Sequence, residues 1–146
     1  MTRVLFVCLG NICRSPTAEI VARTELTRAG LEVRVASAGT AGYHVGEGAD
    51  PRSIACAMRN GYDLSGHRAR RFTIDDFRTF DLVLAMDRDN LRDLQALHPG
   101  IGSPPALFLG DAEVPDPYQG GEEDFQRVID LSRAGVARLI ERLRGS

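Results

Sequence analysis

The sequence predicts a three-layer α/β domain: a four-stranded parallel sheet flanked by helices on both faces. Three observations carry that prediction. Short apolar runs alternate along the chain with longer segments whose apolar residues recur at helical spacing. The first run, Val4-Leu5-Phe6-Val7, is apolar at every position, as in a strand covered on both sides. Helix-start pairs (Ser-Pro, Asp-Pro) and later Gly or Pro stops punctuate the chain between the runs.

Val4-Leu5-Phe6-Val7 is the first strand. Ser15 then reads as an N-cap with Pro16 at the first helical position, followed by Ala18, Val21, Ala22, Leu26 and Ala29 on one face and Gly30 as the stop. Val33-Arg34-Val35-Ala36 is the second strand. Asp50-Pro51 opens a second helix with Ile54 and Met58 on one face, ending at Gly61. The third strand, Asp81 to Met86, leads into a helix carrying Leu91, Leu94 and Leu97 and ended by Pro99; His98 reads as a solvent-side residue there. Pro105-Ala106-Leu107-Phe108-Leu109 is the fourth strand. Phe125, Val128, Ile129, Val136, Leu139, Ile140 and Leu143 form the stripe of the last helix. In sheets of this kind ligands bind outside the carboxyl ends of the strands. The loops after Val7, Ala36, Met86 and Leu109 are therefore the places for a site.

The chain has 146 residues, 43% hydrophobic and 26% charged, so residues 1–146 are expected to form one domain. A net charge of −2 offers no basic field, and no nucleic-acid partner is expected. No apolar stretch approaches the roughly 18 residues of a membrane helix, so no membrane partner is expected, and the apolar run in MTRVLFVC is too short for an export signal to be expected. A cytoplasmic location is the expectation. All 18 positive charges are Arg. The lack of Lys excludes Schiff bases, pyridoxal phosphate attachment and the Walker phosphate-loop lysine. Three Cys, an odd count, are expected to be reduced thiols.

Residues 7–16, VCLGNICRSP, concentrate the chemistry. A loop of this length at a helix N-terminus turns backbone N–H groups toward one point, where the helix dipole favours an anion. Gly10 and Asn11 are the residue types that tolerate the positive φ angles of such a wrap. Arg14 offers a planar fork for two phosphate oxygens. Cys8 would face this positive field, which favours its thiolate. A thiolate nucleophile beneath a bound phosphoryl group is the result; the bland alternative is a buried Cys beside an Arg at a helix end.

VCLGNICRSPTAE resembles the signature of the low-molecular-weight protein tyrosine phosphatases. The resemblance continues through SAGT (37–40), GADPR (48–52), GHRAR (66–70), MDRDNL (86–91) and VPDPYQGG (114–121). It implies the four-stranded parallel sheet, Rossmann-like or flavodoxin-like in topology, and hydrolysis of protein tyrosine phosphate through a phosphocysteine, with no metal and no cofactor. Cys8 would be the nucleophile, Arg14 the phosphate clamp and Asp116 the general acid. Leu9, Gly10, Asn11, Ile12, Cys13 and Ser15 would complete the phosphate-binding loop, with Ser15 stabilising the thiolate. Asn11, Ser37 and His67 match a hydrogen-bond network that holds that loop. The implied partners are phosphotyrosyl proteins and, in the loop, inorganic phosphate or other oxyanions; the implied state is a monomer.

Several residues carry two readings. Asp116, stiffened by Pro115 and Pro117 on an expected sheet edge beside the first loop, can protonate a leaving phenolate; an Asp-Pro pair is also an ordinary turn. Cys13 could form a reversible disulfide with Cys8 as redox protection, or could fill space beneath the loop. Tyr43 and Tyr118 match the aromatics that sandwich a substrate ring, or are plain loop residues. The chain departs from many relatives in lacking a Trp near Tyr43 and in carrying Gln119 where a second Tyr stands. Taken alone, His67 with Arg68, Arg70 and Arg71 reads as a solvated basic turn.

Rival functions are a structural zinc on Cys8, Cys13, Cys56 and a His, an arsenate reductase, a phosphoprotein sensor, and a protein arginine phosphatase. Segment 80–99 holds none of the further cysteines a reductase needs. Ile12 bears on the last rival. Resemblance implies Thr in arginine-specific relatives, whereas Ile gives a guanidinium nothing to bond and walls a flat phenyl ring.

Overall fold

The computed structural model of the chain describes residues 1–145. Its elements are β1 (Thr2–Cys8), α1 (Arg14–Arg28), β2 (Val33–Gly39), α2 (Pro51–Arg59), α3 (Asp76–Thr79), β3 (Leu82–Ala85), α4 (Arg88–Leu97), β4 (Ala106–Leu107) and α5 (Glu122–Arg144). The sheet is parallel throughout, in the order β2-β1-β3-β4. Val4 stands opposite Val35 of β2 on one side and Leu82 of β3 on the other.

β1 explains why the architecture has three layers. Side chains of a strand alternate between faces. Val4 and Phe6 join Val21, Leu26, Ile129 and Val136 of α1 and α5, whereas Leu5 and Val7 join Phe72, Phe77, Phe80 and Leu94 on the opposite side. Because all four strands run the same way, the segments that follow them meet at one end of the sheet, the expected place for a site.

Several details differ from the sequence expectations. α1 begins at Arg14 with Cys13 as its N-cap, so Pro16 is the third helical residue and Ser15 is no cap. Proline is tolerated there because first-turn N–H groups have no partner within the helix. The Ser15 hydroxyl is instead 3.0 Å from Cys8 Sγ. β4 spans two residues rather than five: Pro104 and Pro105 have no N–H to give a neighbouring strand, and only Phe108 N extends the pairing, to Ala85 O at 2.8 Å. α3 was not anticipated; Phe72, Phe77 and Phe80 around it fill the second core. His98 is half-buried rather than solvent-side, its ring edge-on to Phe77 with centroids 4.7 Å apart and Nδ1 accepting from Gly100 N at 3.1 Å. Among the described residues no helix is long and apolar enough to cross a membrane.

Candidate active site

The loop between β1 and α1 curls around Cys8 Sγ. Asn11 N donates to the sulfur at 3.3 Å, and Ser15 Oγ stands 3.0 Å from it. The curl turns on Asn11, the one non-glycine residue with positive φ among those described (59°). Its buried side chain is fully engaged: Nδ2 donates to Ser15 Oγ at 2.8 Å and Ser37 Oγ at 3.0 Å, and Oδ1 accepts from Arg70 N at 2.9 Å. The Asn11 carbonyl, which can only accept, lies 2.7 Å from His67 Nε2, so the ring donates through that nitrogen. The Ser37 hydroxyl in turn donates to Glu19 Oε1 at 2.6 Å.

Gly10 does not take the left-handed conformation expected of it. It is small for want of space, since a Cβ there would stand 3.1 Å from His44 Cδ2. Gly39, at the end of β2, answers a tighter demand: a Cβ would sit 2.7 Å from Leu9 O. The basic turn after His67 is not simply solvated, because Arg70 pairs with Asp76 at 3.1 Å while its N–H holds Asn11.

Arg14 is 3% exposed. Nη1 donates to Asp87 Oδ2 at 2.6 Å and to Val114 O at 3.0 Å, and Nη2 lies 3.8 Å from Asp116 Oδ2. Burial works against the guanidinium charge, but Cys8 and Asp87 outweigh it and hold the Arg14 pKa above its ordinary value. The sheet edge that leads to Asp116 is not next to β1, because β3 intervenes. The chain returns instead: Val114 N donates to Met86 O at 2.8 Å, and this anchor carries Asp116 over the carboxyl end of β3. Asp116 is exposed, and Oδ1 accepts from Tyr118 N at 3.1 Å.

These segments enclose a cavity of about 190 Å³ lined by Cys8, Leu9, Gly10, Ile12, Cys13, Arg14, Tyr43, His44, Asp116 and Tyr118. All four strand-following loops contribute, since Asp87 after β3 holds Arg14 from behind. Asn11 and Ser15 lie beneath the floor, fully buried, with Ser37 and His67 behind them. Tyr43 and Tyr118 stand at the rim, exposed. Cys13 is buried. Loss of solvent pushes its thiol up to about 12, and Asp50 and Cys8 add to the shift. Cys8, Cys13 and Cys56 are free thiols, and Cys56 sits in α2 beside Gln126. Among the described residues no group of three or more His, Cys, Asp or Glu is placed to hold a metal ion. A sulfur nucleophile under a guanidinium fork, with a carboxyl at the rim, has the parts for transfer of a tetrahedral oxyanion.

The family model described as "Low molecular weight phosphotyrosine protein phosphatase" matches residues 3–146. The chain belongs to the low molecular weight phosphotyrosine protein phosphatase family. Its enzyme class, protein tyrosine phosphatase, follows from that membership. The low molecular weight protein-tyrosine-phosphatase of Streptomyces coelicolor is 44% identical over 154 residues, covering 97% of this chain and 93% of the relative. A crystal structure of the Entamoeba histolytica protein tyrosine phosphatase, with Hepes in its active site, superposes with a TM-score of 0.94 at 37% identity, covering 99% of this chain and 98% of the other. Vibrio vulnificus Wzb, solved in complex with benzylphosphonate, gives a TM-score of 0.87 at 31% identity over 97% and 98% of the two chains.

Sequence reasoning missed two residues of this candidate site. Asp87 stood inside the matched MDRDNL segment, and its capping of α4, by Oδ1 accepting from Asn90 N at 2.7 Å, hides a second use for Oδ2. His44 had a signal in its place beside Tyr43. Its approach to Gly10 depends on the turn at 42–47, where its Nδ1 lies 3.3 Å from Glu47.

Proposed function

We propose that this chain hydrolyses phosphotyrosine in proteins in two steps, using Cys8, Arg14 and Asp116, and that it does so in the cytoplasm, where three free thiols stay reduced. The observation that carries the reading is the placement of Arg14, buried between Asp87 and Val114 O with one nitrogen turned toward Asp116 across the cavity that Cys8 lines.

In the first step the Cys8 thiolate, receiving hydrogen bonds from Asn11 N and Ser15 Oγ, attacks phosphorus in line. Arg14 and the loop amides hold the equatorial oxygens. The S–P bond forms, the P–O bond to the ring breaks, and Asp116 gives its proton to the departing phenolate. Asp116, now a carboxylate, then takes a proton from water as that water displaces Cys8, releasing phosphate. Tyr43 and Tyr118 wall the ring. The benzylphosphonate bound by Wzb has the same shape of oxyanion on an aromatic ring.

Ile12 lines the cavity and has no side-chain hydrogen-bonding group, which favours a phenyl ring over a guanidinium. An unpaired polar substrate group in a closed pocket costs about 1–3 kcal/mol, a tenfold to hundredfold preference. The test is turnover of phosphotyrosyl, phosphoseryl and phosphoarginyl peptides without added metal, by wild type and Cys8→Ser. Phosphotyrosine should be preferred, Cys8→Ser inactive, and Ile12→Thr shifted toward phosphoarginine. Faster phosphoarginine turnover by the wild type would overturn the substrate assignment.

A further inference from the structure

The wall residue Tyr118 and the acid Asp116 lie on a segment between two anchors, Val114 on Met86 O and the Gly121 N–H on Asp124. Between those anchors the contact of Asp116 with Arg14 is long, 3.8 Å. The contact that reaches the segment from another element is made by Arg52, the second residue of α2. Its guanidinium carbon lies 5.4 Å from the centre of the Tyr118 ring and 4.7 Å from that of Phe125, within the range of cation–π attraction.

Arg52 is itself held. The Asp50 carboxylate accepts from its Nε at 3.1 Å and Nη2 at 2.9 Å, a bidentate fork, and from its backbone N at 2.9 Å. Asp50 is buried, and the Arg52 guanidinium keeps its carboxyl below the ordinary carboxylate range. The Asp50 N–H donates to Ile12 O at 2.9 Å, so the same residue is tied to the loop around Cys8. One path of contacts therefore runs from that loop through Asp50 and Arg52 to the Tyr118 ring, and from the Tyr118 N–H to Asp116 Oδ1 at 3.1 Å.

We infer that Arg52 is a positioning residue: locked by Asp50, its guanidinium holds the Tyr118 ring, and through it the Asp116 carboxyl, over the cavity. Pro115 and Pro117 stiffen the segment, so a displaced ring at 118 carries the carboxyl at 116 with it. The inference rests on the proposed hydrolysis for its kinetic consequences and on geometry alone for the clamp.

The experiment compares wild type, Arg52→Gln and Arg52→Lys in the full chain. KM for aryl phosphates should rise about two- to fivefold in Arg52→Gln, the scale of one exposed cation–π contact. The kcat for phenyl phosphate, whose leaving group needs a proton, should fall about tenfold, whereas that for p-nitrophenyl phosphate should change little. Inhibition by inorganic phosphate, which has no ring, should be unaltered, and Arg52→Lys should recover part of the KM. Amide exchange over 115–121 should quicken in Arg52→Gln and stay the same elsewhere. This readout needs no turnover, so it decides the clamp even if wild type fails to hydrolyse aryl phosphates and the proposed function falls. An equal loss across both aryl substrates and phosphate affinity, or unchanged exchange over 115–121, would overturn the inference. So would an effect confined to phosphopeptides with acidic neighbours, since Arg52 would then touch substrate directly.

Discussion

Asp87 serves two elements with its two oxygens, and separating those uses tests how Arg14 is held. Oδ1 accepts from Asn90 N at 2.7 Å and caps α4; Oδ2 accepts from Arg14 Nη1 at 2.6 Å. The Arg14 side chain is 4% exposed and that of Asp87 21%, so salt screens this pair far less than a surface pair. Asp87→Asn keeps one oxygen for the cap but turns an NH2, which can only donate, toward Arg14 Nη1, so it removes both the charge and the acceptor. A hydrogen bond to a charged group contributes about 1.5–3 kcal/mol, so the Asn variant should lose about that much. Asp87→Ala also loses the cap, a further loss of about 1 kcal/mol. Urea unfolding at pH 7, at low and high salt, reads both differences. Equal losses in the two variants would refute the capping role. A loss below about 0.5 kcal/mol in both, or one that disappears at high salt, would refute the buried charge pair.

Three further outcomes are expected. Asp116→Asn should slow hydrolysis of phosphotyrosyl substrates by about 10²–10⁴, and slow substrates with low-pKa leaving groups less; an equal loss across leaving groups in steady-state kinetics would make Asp116 structural. The Cys13 thiol, pushed from 9.0 up to about 12 chiefly by burial, keeps in the folded state a proton that the unfolded chain releases above pH 9. That contribution is complete below pH 9 and is lost as pH rises toward 12, so the urea midpoint should fall across this window, and fall less in Cys13→Ala. Mild peroxide should oxidise Cys8 to the sulfenic acid, from which Cys13 displaces water to form a disulfide, faster as pH rises because Cys13 must ionise to attack. Peptide mapping that found Cys8 as sulfinic acid with Cys13 still reduced would refute protection.

What was legible in the sequence is what local rules decide. Four consecutive apolar positions at 4–7 announce a strand covered on both faces, and Val4, Leu5, Phe6 and Val7 are fully buried. Asp50-Pro51 opens α2 where capping chemistry places it. Strand order has no local signature: alternation of strands and helices implies parallel pairing, but nothing near β4 says that it pairs with β3. The Phe72, Phe77 and Phe80 cluster has no helical or strand period to read, because these residues meet in a short helix and the turns around it.

The misreading of Ser15 shows where local rules stop. Ser before Pro satisfies every criterion for an N-cap, and a free helix would use it so. In the folded chain the hydroxyl is claimed by Cys8 Sγ at 3.0 Å and by Asn11 Nδ2 at 2.8 Å. The helix therefore begins two residues earlier, on Cys13, with no side-chain cap. That earlier start makes Arg14 the first helical residue, next to the N-terminal amides, with its Nη1 donating to Asp87 and Val114 O. Asp87 and Asp50 show the opposite limit. Both obey the capping rule, and each spends its other oxygen on an arginine of the site, Arg14 or Arg52. A local rule met in full leaves the second lone-pair partner invisible, and in this chain the second partner fixes where the guanidinium groups stand.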